Sequence, residues 1–235
     1  MLSILILFGF SGFYANAQNN FVSCNITQLN VCHDDFMKRL GSSGTWIQTT
    51  LFRDAIEKQF MSGRDSNIQK LCSAFQRYKS CFSSDESAKA YQIYQACTER
   101  VLGLLLDENQ FQRKFTKEQA TGYVMMIAQL EYACGAGFSI LLEYGTCIGE
   151  TFTSNSETIK ACSTEFNTAV QNDPYETCNY AATAMSCFQA VFKKCGIPSS
   201  WFGCEYERTG IQALYSQCTA DYCFTDVIIF CFKKV

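Results

Sequence analysis

The one histidine of the chain, His33, sits in the run Val31-Cys32-His33-Asp34-Asp35. A His–Asp pair can activate water against an ester that a bound cation polarises. That chemistry needs a glycine-rich calcium loop close by, and the sequence offers none there. A serine triad would have to use the same histidine as its base. No G-x-S-x-G elbow presents a serine, and Gly9-Phe10-Ser11-Gly12 has the wrong spacing. The expected setting of His33 is therefore an exposed polar turn beside a structural cysteine. Paired carboxylates for acid–base work stand at Asp34-Asp35, Asp85-Glu86, Asp107-Glu108 and Glu205/Glu207. Several fall where helices should start, and there an acid stabilises the helix dipole by ~0.3–1 kcal/mol. The structural reading is preferred for all of them. The sequence thus assigns no catalytic, cofactor-binding or metal-ligating residue, and the chain reads as not an enzyme.

Fifteen cysteines carry the strongest signal. No C-x-x-C occurs and only one histidine is present, so zinc-ligand spacing is missing. The amino terminus explains them better. Leu2–Phe10 is an apolar run of signal-peptide length, and Ala15-x-Ala17 supplies the small residues of a cleavage site. Residues 1–17 are expected to be a leader, with a mature amino terminus at Gln18. Cysteines behind such a leader form a disulfide framework. That framework is Cys24, Cys32, Cys72, Cys81, Cys97, Cys134, Cys147, Cys162, Cys178, Cys187, Cys195, Cys204, Cys218 and Cys223. An odd count leaves one over, and Cys231 near the end of the chain is the candidate free or intermolecular thiol, able to link two copies. Asn25-Ile26-Thr27 is the single N-x-S/T sequon and marks Asn25 for a glycan.

Later segments give no membrane span. Gln129 and Glu131 interrupt the apolar stretch 124–142, and a charge near a bilayer centre costs roughly 2.5–3.5 kcal/mol. The net charge of −3 is spread along the chain, without the clustered Lys/Arg that nucleic acid requires. A secreted, extracellular protein follows, without nucleic-acid partners.

The elements that would hold these residues are helices. Only two prolines occur, and capping boxes begin at Ser66, Ser83, Thr116 and Ser154. Asp173-Pro174-Tyr175-Glu176 joins a capping acid to a proline at a first helical position. Apolar residues recur at three and four, as in Ile68, Cys72, Phe75, Tyr78 and Phe82. Helices are expected near 28–40, 45–61, 66–82, 84–106, 117–143, 156–171, 174–194 and 199–218, with 227–232 the main strand candidate. The fold class is all-α, a disulfide-stapled helical bundle. Cys72-x8-Cys81-Phe82 recurs as Cys178-x8-Cys187-Phe188, and Cys97 echoes at Cys204. Two similar halves, 18–115 and 116–235, would pack as one body. Nine residues turn a helix by about 900°, so neither Cys72 with Cys81 nor Cys178 with Cys187 can bridge. Each of these helices is tied to two neighbours.

The C-x7-C pair Cys24/Cys32, followed by Leu71-Cys72 and Ser80-Cys81-Phe82, resembles the secreted cysteine-rich helical domains of unknown function expanded in nematodes. The resemblance covers the first half of the chain and implies compartment and fold, with no site. Aromatic content, 20 Phe, 12 Tyr and 2 Trp, points to a large core or to an apolar cavity held open by bridges. The leading reading is a non-enzymatic extracellular binding protein for a protein partner or an apolar small molecule. A structural component of a matrix, cuticle or egg coat is the second, and an unrecognised secreted hydrolase the third.

Overall fold

Eight α-helices and no strand occur among the described residues, which in this computed structural model are 24–82, 90, 94–95, 97–98, 116–218 and 223. They are α1 (Ile26–Arg39), α2 (Thr49–Met61), α3 (Asp65–Ser80), α4 (Lys117–Ala133), α5 (Phe138–Ser154), α6 (Ser156–Asn172), α7 (Thr177–Phe192) and α8 (Ile197–Leu214). The protein is a disulfide-stapled all-α body. The leader expected over 1–17, most of the helix expected over 84–106, the segment 227–232 and Cys231 lie outside the described residues.

Local chemistry sets the helix ends. The Asn25 side chain accepts from the amides of Thr27 at 2.9 Å and Gln28 at 3.4 Å, which starts α1. Leu29, Cys32, His33, Phe36 and Met37 then form its buried stripe at the three-and-four spacing of an amphipathic helix. Thr116 and Gln119 close a complete capping box on α4. Asp173 accepts from the Tyr175 amide, and Pro174–Glu176 forms a 3-10 turn ahead of α7.

Two of the expected boxes do not form. Helix α3 begins at Asp65, which leaves Ser66 within its first turn, and its N-cap residue Arg64 makes no side-chain cap. The Ser154 hydroxyl donates to the Glu150 carbonyl at the end of α5, so α6 starts after Asn155 instead. The single helix expected over 117–143 is also two. The chain bends by 103° between α4 and α5. Gly135-Ala136-Gly137 weakens the helix there, since each glycine costs ~1 kcal/mol against alanine. The half-cystine Cys134 fixes the end of α4, and the Gly137 amide donates back to the Tyr132 carbonyl at 2.9 Å. Among the described residues no single helix is long and apolar enough to cross a membrane. The polar breaks in that stretch are used internally, because Glu131 accepts from Lys79 at 3.0 Å and from the Tyr94 hydroxyl at 2.8 Å.

One core cluster runs from Leu29 on α1 through Phe52, Phe75, Tyr123 and Phe152 to Phe202 on α8, across the expected boundary between halves. A smaller cluster joins Phe166, Ala184, Met185, Cys204, Ile211 and Cys223. The turn between α2 and α3 presses on α5. Gly63 there holds φ +59°, and a side-chain carbon at Gly149 would stand 2.5 Å from the Phe60 carbonyl oxygen. Only a glycine notch admits that approach.

Seven bridges fix the helices: Cys24–Cys97, Cys32–Cys81, Cys72–Cys134, Cys147–Cys195, Cys162–Cys187, Cys178–Cys218 and Cys204–Cys223. Helix α3 is tied to α1 and to the end of α4, and α7 to α6 and to the chain beyond α8. The cysteine echo keeps its pairing sense at two places. Cys72 and Cys178 bridge downstream, and Cys81 and Cys187 bridge upstream. It loses that sense at the third, since Cys97 bridges upstream and Cys204 downstream. Cys72–Cys134 alone among the seven crosses the 115/116 junction, with a separation of 62 residues. Replacing both of its cysteines by alanine is expected to cost about 2–4 kcal/mol, measured as a lowered urea midpoint of the oxidised protein.

Candidate functional site

His33 occupies the middle of α1 and is fully buried, not exposed on a turn. The register of α1 explains the difference, because one turn beyond Leu29 is the core face. The imidazole meets the Phe52 ring edge-on at 4.7 Å between centroids, with Tyr123 at 5.9 Å and Tyr78 at 6.5 Å. The Tyr78 and Tyr123 hydroxyls share a hydrogen bond beside it. Neither ring nitrogen has a hydrogen-bond partner among the described residues. Burial lowers the His33 pKa to about 4, against a small opposing pull from Asp34, so the ring is neutral at physiological pH. Aromatic walls separate it from solvent and from any substrate. Asp34 and Asp35 face outward in ion pairs with Lys38 at 2.6 Å and Arg39 at 2.8 Å.

A second polar island lies where α2, α4 and α8 meet. Glu207 on α8 is fully buried and accepts from Gln129 Nε2 at 3.0 Å through Oε2, while its Oε1 has no partner among the described residues. Burial raises its pKa to about 7, with Arg53 and the Gln129 bond pulling the other way. Arg53, Glu57, Gln129 and Tyr206 border a cavity of about 10 Å³. That is room for about one water molecule, and it is too small for a substrate. Burial also raises the pKa of Glu57. Glu205, two residues from Glu207, points elsewhere and accepts from Arg208 at 2.9 Å. The carboxylate pair expected at Glu205/Glu207 is therefore split by helix geometry, and the pairs at 85–86 and 107–108 lie outside the described residues.

A cleft of about 220 Å³ lies between α6 and α7. These helices form a hairpin through the Pro174 turn, cross-tied by Cys162–Cys187. Phe166 and Ala169 on α6 face Tyr180 and Ala184 on α7, with Glu165 and Thr183 at the rim. The cleft exists because two alanines stand where larger residues would close the helix pair. Phe166 is held from behind by Tyr215, edge-on at 5.9 Å.

All fourteen cysteines named as the framework lie in the seven bridges, and exposed Asn25 caps α1. Sequence reasoning missed Arg53, the burial of Glu207 and the alanine-lined cleft. Gln129 was visible as a polar break in an apolar helix, and such a residue needs a buried partner. No protein-family model, curated protein or solved structure matches the chain.

The two buried titrating groups act on stability with opposite sign over nearly the same pH range. Folded His33 stays neutral to about pH 4, whereas the unfolded ring protonates near 6.5. Its contribution is complete above 6.5 and is lost as pH falls toward 4. Folded Glu207 keeps its proton to about pH 7, whereas the unfolded carboxyl ionises near 4.5. Its contribution is complete below 4.5 and is lost as pH rises toward 7. Each is worth up to about 3 kcal/mol across its window. Urea midpoints of the native protein are expected to change little between pH 7 and pH 5. On the same acidification His33→Phe should gain stability relative to native protein, and Glu207→Gln should lose it.

Proposed function

We propose that this chain is a secreted binding protein that holds an apolar group, from a small molecule or a protein partner, in the α6–α7 cleft. The cleft itself carries this reading. Phe166, Ala169, Tyr180 and Ala184 give it an apolar wall beside a disulfide that keeps the two helices at fixed spacing. Small-molecule sites combine such walls with a few polar groups at the edge. A cleft of about 220 Å³ suits one ring or a short chain.

Binding is favoured over catalysis because the histidine is sealed among aromatic rings and the buried carboxyl faces a water-sized space. Extensive disulfide bonding is typical of extracellular proteins. The apolar run 2–10 and the Ala15-x-Ala17 site support secretion through a cleaved leader. In such a route Asn25 would carry a glycan. It is exposed and spends Oδ1 on the helix cap, leaving Nδ2 without a partner among the described residues. The resemblance in cysteine spacing to the nematode-expanded secreted helical domains agrees with the same compartment.

An environment-sensitive apolar dye tests the site. The oxidised protein is expected to bind it saturably, and Ala169→Trp, which fills the cleft, should weaken binding at least tenfold at an unchanged unfolding midpoint. Equal binding by both proteins would contradict the proposal.

A further inference from the structure

We infer that the α6–α7 cleft selects an apolar group bearing a protonated amine, a single ring or short alkyl chain joined to an ammonium. This rests on the reading of that cleft as the binding site. Among its lining residues Glu165 is the one acid or base, and it stands exposed at the rim. Nothing cationic offsets it on the two helices that form the walls. Helix α7 contains no Asp, Glu, Lys or Arg from Thr177 to Phe192. On α6 the only base is Lys160, and it donates to Glu157 at 3.2 Å. At the hairpin end Glu176 adds a further acid, engaged by Asn179.

The charge lining the cleft is thus negative, and an ammonium is the complementary head group. Phe166 and Tyr180 line the same space, and aromatic rings attract cations. Volume limits the apolar part. About 220 Å³ accommodates one ring and not a drug-sized ligand. A carboxylate of the same shape would face Glu165 with like charge.

Titration of the oxidised protein with phenethylamine, phenethyl alcohol and phenylpropionate separates charge from shape. The amine is expected to bind about two- to fivefold more tightly than the alcohol, the range of one exposed ion pair. The acid should bind more weakly than both. Glu165→Gln should equalise amine and alcohol, and molar salt should narrow their difference. Equal affinities in native protein, or an amine preference that survives Glu165→Gln, would overturn the inference and leave the cleft standing as an apolar site. Failure of all three probes to bind, or binding unchanged by Ala169→Trp, would overturn the cleft reading and this inference with it.

Discussion

Cys72 and Cys81 stand nine residues apart at one helix and its cap, on opposite faces and about 13 Å apart along the axis. They cannot close on each other, so α3 must be pinned on two sides. Its bridges run back to α1 through Cys32 and forward to the end of α4 through Cys134. The consequences spread from there. The Cys134 bridge coincides with the 103° bend that turns α5 back toward the α2–α3 turn, where glycines at 63 and 149 allow close backbone contact. Cys178 and Cys187 obey the same geometry on α7, and the Cys162–Cys187 bridge sets the spacing of the α6–α7 hairpin. The cleft is a product of that spacing and of the alanines beneath it.

Bridges of this density release the core from the need to be wholly apolar. An unpartnered buried polar atom costs ~1–3 kcal/mol, yet this core holds His33 with both nitrogens unmet and Glu207 with one oxygen unmet. Aromatic packing around His33 and the Gln129 bond to Glu207 offset part of that cost. The two groups also shift in opposite directions, so neither one governs stability alone as the medium acidifies.

Much of the framework was legible because it depends on local rules. Helical periodicity placed α1, α2, α3 and α6 to within a few residues, and the Thr116 and Asp173 starts follow from side chains bonding amides within three positions. The cysteine spacing on α3 and α7 forbade local bridges for a reason that helix geometry alone supplies. What failed depended on tertiary context. Ser66 and Ser154 fit a capping pattern, but neighbouring residues set where those helices begin. The break at Gly135-Ala136-Gly137 was hidden by an apolar run that continues through it. His33 looked like a surface residue because Asp34 and Asp35 follow it, yet helix register separates their faces by a quarter turn or more. The cleft left no signal, since alanines on two helices mark a space only after the helices meet.

Bridge connectivity is the account's foundation, and it is directly measurable. Proteolysis of the oxidised, unreduced protein at acid pH, followed by mass spectrometry, identifies which cysteine peptides are joined. Cys72 is expected to be joined to Cys134, Cys81 to Cys32 and Cys187 to Cys162. A peptide joining Cys72 to Cys81, or Cys178 to Cys187, would contradict it, because the helices and the cleft they hold could not then exist as described.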